Sequence, residues 1–459
     1  MNDGHLVLSD EYTIKGSTSE KILFNLKDGT RYLLEPNQFE FLCLCDGTMK
    51  LAEILKEYDE DSQKTIIDFI DTLMEINAIC AVQEKRRRKI NNSPVPDIRL
   101  QAVQLEATSK CNMNCAHCYQ GNRYPVLNNL SISEIRRLIE EMERMQVENV
   151  SISGGEPFVD EKTFEIMHCI EQHDMRVSAI FTNGYQISEE LIKKLLLTFR
   201  GNPTFFVSLD AITPQAMEFR GFNETTGKKV LETIMENIEM LAAHGIKTVI
   251  NTVMNKYNLE SLLEMYNFMR NVRINSWRIG FPKRTGFFKD RRDLELPWEV
   301  MAEASFKLLQ HHLEENEPFH LQIEYLYRNE LFENFQPLSD DDFVCDYEGR
   351  LESCCIKPNG DVVSCAYCTD FPIGNIRGAS LEKIWYSPSM QKVKKIRIRD
   401  VKECRDCELR FYCATGCRIN AYFLGGDFYH AKDGFACNSV NFFMNKVIPL
   451  LIAKGIVKQ

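Results

Sequence analysis

Cys111, Cys115 and Cys118 stand at CX3CX2C spacing in the stretch Cys111-Asn112-Met113-Asn114-Cys115-Ala116-His117-Cys118-Tyr119, directly after a short apolar run over residues 102 to 107. Three sulfurs cannot close a four-ligand site. Thiolates are favoured ligands of iron-sulfur clusters, and a cubane held by three of them leaves one iron open to a ligand that is not protein. A structural zinc knot is the competing reading, since CxxC pairs bind zinc as readily as iron, but it wants a fourth ligand nearby. His117 is a poor fourth ligand: it lies inside the loop beside Cys118, where a shared metal is sterically awkward, and it reads as a loop side chain.

A second population of thiols fills the last quarter of the chain. Cys345 is followed by fourteen residues, Gly360, four residues and Cys365; then come Cys404-X2-Cys407-X5-Cys413-X3-Cys417 and Cys437. Cys354 and Cys355 precede a hairpin turn at Pro358-Asn359-Gly360-Asp361, and Cys368 lies just past Cys365. On a strand, adjacent Cys354 and Cys355 point to opposite faces, so at most one of them is a ligand. Zinc knuckles compete with clusters here too. Cys43, Cys45, Cys80 and Cys169 are scattered in apolar patterns and read as small buried hydrophobes. The N-terminus, Met1-Asn2-Asp3-Gly4-His5, lacks the charged-then-apolar pattern of a signal peptide. No run approaches the ~18 apolar residues of a membrane span, so the expectation is a cytoplasmic protein with no membrane partner. Seventeen cysteines in a reducing compartment point to metal rather than to disulfides.

The elements that must position these residues follow from patterning. At 459 residues the chain is too long for one core. Its net charge of -11 argues against a general nucleic-acid binder. Residues 101–320 alternate strand and helix signals, with strands near 102–107, 148–153, 177–182, 204–210, 246–254 and 275–281. Helical stretches run over 131–145, with Ser131 or Ser133 as cap, and over 188–199, 227–243 and 259–270. Six alternations imply an α/β layer of parallel strands, whose ligands sit at the C-terminal strand ends. In front, residues 1–90 read as strands 21–26 and 30–34 joined by a turn with Asp28-Gly29, followed by two or three short helices, the order of a winged-helix module. Residues 84–98 are a basic stretch with Pro94 and Pro96, read as a solvated tether, so that 91–100 is a linker, 101–320 the strand-and-helix region and 321–459 a bridging region with a Cys-rich domain.

The cysteine triad, the aromatic Tyr119 after it and Gly154-Gly155-Glu156-Pro157 closing the next strand together resemble the radical S-adenosylmethionine (SAM) enzymes. The resemblance implies a partial (β/α)6 barrel and a [4Fe-4S] cluster on Cys111, Cys115 and Cys118 whose open iron takes the amino and carboxylate groups of SAM. It places Tyr119 near the adenine, Gly154, Gly155 and Glu156 at the amino group, Ser208 and Asp210 at the ribose, and Arg220 at the carboxylate. Thr182-Asn183-Gly184 and Asn251 also close strands, as pocket lining or as turn makers. Residues 345–437 resemble the SPASM extension of this superfamily, which implies two further [4Fe-4S] clusters. The distal one would fall on Cys404, Cys407, Cys413 and Cys437. The proximal one would fall on Cys345, Cys365 and Cys417, with Cys354, Cys355, Cys368 or a substrate thiolate as the fourth ligand. The front module looks like a RiPP recognition element, which binds the leader of a ribosomally made peptide as an added strand. It could instead bind DNA, which the acidic residues 35–80 disfavour, or serve as a structural cap.

Together these resemblances imply a radical SAM/SPASM peptide maturase of the thioether-forming, sactipeptide or ranthipeptide type, served by an external one-electron reductant of the flavodoxin or ferredoxin kind. A carbon-carbon crosslinking cyclase and a sulfatase-maturing type of enzyme use the same parts. An iron-sulfur scaffold or electron carrier would need neither the 154–157 motif nor the front module.

Overall fold

Short apolar runs punctuated by Gly and Asp turns make the first 82 residues a small mixed module. Its strands are β1 (His5–Leu8), β2 (Tyr12–Gly16), β3 (Lys21–Asn25) and β4 (Arg31–Leu34). Then come α1 (Pro36–Leu44), β5 (Asp46–Lys50), α2 (Leu51–Ile54), α3 (Glu60–Glu75) and β6 (Ile79–Val82). The computed structural model describes residues 4–90, 95–328, 338–344 and 351–457. The expected 21–34 hairpin is β3–β4, and Pro36 takes the first position of α1, where its missing N–H costs nothing. The simple order of two strands and three helices is corrected: β1 and β2 precede the hairpin, and two three-stranded sheets form, β5-β1-β6 and β2-β3-β4. Cys45 and Cys169 are buried as expected, but Cys80 is exposed, because strand alternation turns it away from the buried Ile79.

The 84–98 segment is also more than a solvated tether. The Arg88 backbone N–H donates to the Asp46 carbonyl, and its guanidinium caps the carbonyls of Leu8, Ser9 and Tyr12.

All six strands expected in the middle of the chain form. They are β7 (Ala102–Glu106), β8 (Asn149–Ser153), β9 (Arg176–Thr182), β10 (Thr204–Ser208), β11 (Thr248–Val253) and β12 (Ser276–Gly280). Helices α4 (Ile132–Arg144), α5 (Lys162–Glu171), α6 (Glu189–Thr198), α7 (Glu224–Ala243), α8 (Leu262–Val272) and α9 (Trp298–Glu314) accompany them. Ser131 and Glu134 form a capping box on α4, and Ser188 caps α6. The sheet is larger than six strands. Its order is β14-β13-β12-β11-β10-β9-β8-β7-β15-β16-β17, where β13 is His320–Ile323, β14 Tyr327–Arg328, β15 Ser353–Ile356, β16 Asp361–Val363 and β17 Gly374–Asn375. β7 to β13 are parallel, and β15 joins β7 in parallel with Ser353 opposite Ala102. β15, β16 and β17, from the Cys-rich region, therefore continue the same sheet beyond β7.

The front module docks at the opposite end of the sheet from the strand C-termini. Lys15 Nζ donates to the Val147 carbonyl at 3.0 Å, the Gly16 N–H donates to Gln146 Oε1 at 2.8 Å, and Arg31 and Arg99 both pair with the buried Glu148. The expectation that no run is long and apolar enough for a membrane span is corrected by Gly434–Ala453, a helical run of mean hydropathy 1.3. Within the fold it carries Cys437 and packs Phe442 edge-on against Trp298 and Phe306.

Candidate functional site

The loop after β7 is held in shape by backbone. Ala116 N–H donates to the Phe219 carbonyl, Cys118 N–H to that of Cys115, and Phe287 N–H to that of Cys118. Gly155 and Gly286 let neighbouring chain approach this loop: a Cβ on either would lie 2.1 Å from the carbonyl oxygen of Lys110 or Cys118 respectively. Gly154 belongs to the same turn, and the Gly155 and Glu156 N–H groups donate to the Thr108 and Lys110 carbonyls. The three thiols stand at the C-terminal end of the sheet, Cys111 exposed and Cys115 and Cys118 half-buried. Burial pushes the Cys115 thiol up to about 12, and Arg220 partly opposes that rise.

Among the described residues, no three thiol, imidazole or carboxylate groups converge tightly enough to hold a single metal ion. Cys118 is within electrostatic reach of both Cys111 and Cys115, and three thiols on one loop are the soft donor set that an iron-sulfur cluster takes.

The remaining expected contacts divide. Ser208 ends β10 half-buried and faces the same end of the sheet. Glu156 is fully buried. Its carboxylate accepts from Thr182 Oγ1 at 2.8 Å and from the Asn183 N–H at 2.6 Å, and burial raises it to about 7. It thus braces the 154–157 turn against the end of β9, within electrostatic reach of Cys111. Thr182 and Asn183 are therefore structural partners of the site, and Asn183 Nδ2 donates to Asn112 Oδ1 inside the cysteine loop at 2.7 Å.

Asp210 and Arg220 lie close to the cysteine loop, and Arg220 is within electrostatic reach of Cys115. They pair with each other at 2.9 Å, both almost fully buried, because the turn of helix Pro214–Arg220 folds the guanidinium back under the loop. The Tyr119 hydroxyl donates to Glu106 Oε1 at 3.0 Å and its ring meets Tyr367 edge-on at 5.3 Å. His117 stacks on Phe219 at 4.4 Å, and burial drives it down to about 4, so it is a neutral packed side chain, as the sequence suggested.

In the C-terminal region, strand alternation decides between the adjacent cysteines. Cys355 packs with Cys365, Cys368, Cys417, Val363 and Ile419, whereas Cys354 faces the main core. Cys404, Cys407, Cys413 and Cys437 are electrostatic neighbours of one another, and burial raises Cys413 to about 12. Cys345 lies outside the described residues. Sequence reasoning missed Glu106 and Lys357, an ion pair of zero exposure beside both thiol sets. A Glu ending an apolar strand and a Lys two positions after Cys355 were the only signals.

Residues 105–269 match the model of the radical SAM superfamily, and residues 345–408 match that of the SPASM iron-sulfur cluster-binding domain. With the site geometry, these define the class of protein: a radical SAM enzyme carrying a SPASM iron-sulfur domain. Among curated relatives, the antilisterial bacteriocin subtilosin biosynthesis protein AlbA of Bacillus subtilis is 25% identical over 425 residues, covering 87% of both chains. The AdoMet-dependent heme synthase of Methanosarcina barkeri is 25% identical over 347 residues, 71% of this chain and 93% of its own. Among solved structures, Streptococcus suis SuiB bound to its precursor peptide SuiA superposes with TM-score 0.67 at 17% identity, covering 94% of this chain and 99% of that one. At that identity the likeness is one of fold.

Proposed function

We propose that this chain binds the leader of a ribosomally synthesised precursor peptide on its front module, a winged-helix type of recognition element, and installs an oxidative crosslink in the core peptide. A thioether from a cysteine sulfur to a carbon of an acceptor residue is the favoured bond. The observation that carries the reading is the pairing of a bacteriocin-biosynthesis relative aligned over 87% of both chains with an open strand edge at β4, where Tyr32 and Leu33 are exposed. The heme-synthase likeness spans less of the chain and gives no use for that edge.

In this reading Cys111, Cys115 and Cys118 hold a [4Fe-4S] cluster that, with SAM bound, supplies one-electron cleavage of the sulfonium and hydrogen abstraction from an unactivated carbon. Cys404, Cys407, Cys413 and Cys437 hold a distal auxiliary cluster. Cys345, Cys365 and Cys417 hold a proximal one, completed by one of Cys354 and Cys355, by Cys368 or by a substrate thiolate. The chain's own task is to position the peptide carbon and keep water out. An external one-electron reductant serves the first cluster, and the thiol-rich design suits the cytoplasm.

Coexpression with a candidate precursor followed by mass spectrometry tests the function. Each link is expected to remove two hydrogens from the peptide. After anaerobic reconstitution the chain is expected to hold about twelve irons, three clusters of four. Replacing Cys111, Cys115 and Cys118 together by Ala is expected to remove about four of them and abolish 5′-deoxyadenosine formation. An unmodified precursor alongside vigorous SAM cleavage on a porphyrin substrate would reverse the assignment.

A further inference from the structure

Glu106, the last residue of β7, and Lys357 meet with neither side chain exposed. Lys357 Nζ lies 2.7 Å from Glu106 Oε1 and donates to the carbonyl of Ala366 at 2.7 Å. The Glu106 carboxylate also accepts from the Tyr119 hydroxyl at 3.0 Å and from Gln120 Nε2 at 2.6 Å. Those two residues directly follow Cys118, and Ala366 directly follows Cys365. Cys355 Sγ is 3.6 Å from Glu106 Oε1, and Lys357 Nζ sits 4.9 Å from the centre of the Tyr119 ring. The pair thus links the side chains of the two residues after the first cysteine triad to the backbone next to Cys365.

A buried ion pair is a poor source of stability, because apolar residues of the same volume avoid its desolvation cost. Its charges, however, are fixed and unscreened by water, so each acts strongly on an electron placed nearby. The potential of an iron-sulfur cluster responds to local charge and to hydrogen bonding around its sulfurs. Both charges reach the auxiliary side: the ammonium donates to the Ala366 carbonyl beside Cys365, and the carboxylate lies 3.6 Å from Cys355 Sγ while also accepting from Tyr119 and Gln120.

We propose that Glu106 and Lys357 are positioning residues that set the reduction potential of the proximal auxiliary cluster, Lys357 raising it and Glu106 lowering it. The inference rests on the reading above that both thiol sets hold clusters.

The test is an anaerobic redox titration of the reconstituted full chain followed by electron paramagnetic resonance, with SAM added to distinguish the first cluster's signal. Lys357→Met is expected to lower the auxiliary potential and Glu106→Gln to raise it. Each change should alter the reduced-to-oxidised ratio at a fixed solution potential tenfold or more, about 59 mV for a one-electron couple. Lys357→Arg, which keeps the charge, is expected to titrate near wild type. Shifts of the same sign in both variants, or none, overturn the proposal. Should Lys357→Met fail to fold, the near-isosteric Glu106→Gln decides it alone: no upward shift is a refutation. Wild-type protein with only about four irons would remove the auxiliary cluster and the reading beneath, whereas about twelve irons with unmoved variant potentials would overturn this proposal alone.

Discussion

At the scale of single residues, the site is built by what is missing as much as by what is present. The carbonyl that a Cβ on Gly155 would strike belongs to Lys110, one residue before the first cysteine, and it is backbone that no side-chain rotation can clear. Gly155→Ala is therefore expected to displace the loop, cutting iron content by about four per chain and SAM cleavage with it, while the auxiliary clusters keep their absorbance. The CX3CX2C triad and Gly154-Gly155-Glu156 were legible because their chemistry depends on residue type and local spacing. The pairing of Asp210 with Arg220 was not. Asp210 follows the end of β10 and Arg220 closes the helical turn Pro214–Arg220, and only the fold shows the two buried charges compensating each other at 2.9 Å.

At the scale of elements, strand geometry carries two predictions. Asn25 N–H donates to the Thr30 carbonyl, which makes that pair hydrogen-bonded; the alternation of antiparallel pairs then leaves Leu33, opposite Ile22, with its N–H and C=O turned away from β3 toward the open edge. Proline at an edge position removes an outward donor and leaves the ladder intact. Leu33→Pro is expected to weaken precursor binding tenfold or more by fluorescence anisotropy and to leave uncoupled SAM cleavage within twofold of wild type. On β15, Cys355 and Cys354 face opposite sides. Cys355→Ala is expected to lose auxiliary-cluster iron or change its paramagnetic signature, whereas Cys354→Ala should keep full iron content at some cost in melting temperature. Sequence periodicity located the middle strands to within about two residues. It could not place β15, whose partner β7 lies some 250 residues earlier in the chain.

At the scale of the whole molecule, the front module is not a loose appendage. β2 is buried along its length, and Lys15, 2% exposed, is held down to about 8 by burial, against the opposing pull of Asp174 and Glu148. Its value in the unfolded chain is near 10.5. Between these two values the unfolded chain binds more protons, so stability rises with pH from about 8 to 10.5, and below that window the buried ammonium costs about 3 kcal/mol. Lys15→Met is expected to melt higher than wild type at pH 7 and to lose that advantage progressively up to pH 10.5, by calorimetry on both proteins in parallel. An advantage that stays constant with pH would rule out Lys15 as the group responsible.

What the sequence determined by itself is the set of reactive groups and the repeating pattern around it: three thiols at CX3CX2C spacing, further thiols in knuckle spacings, and alternating strands and helices to carry them. Each of these is local, set by side-chain type and by periods of two or 3.6 residues. What only the tertiary structure decided is which groups face one another across long stretches of chain. The Cys-rich region joins the catalytic sheet at β7, Cys355 and not Cys354 turns toward the auxiliary thiols, and Lys357 reaches Glu106 in a dry interior. Burial and pairing of charge depend on non-local contacts, and no local pattern encodes them.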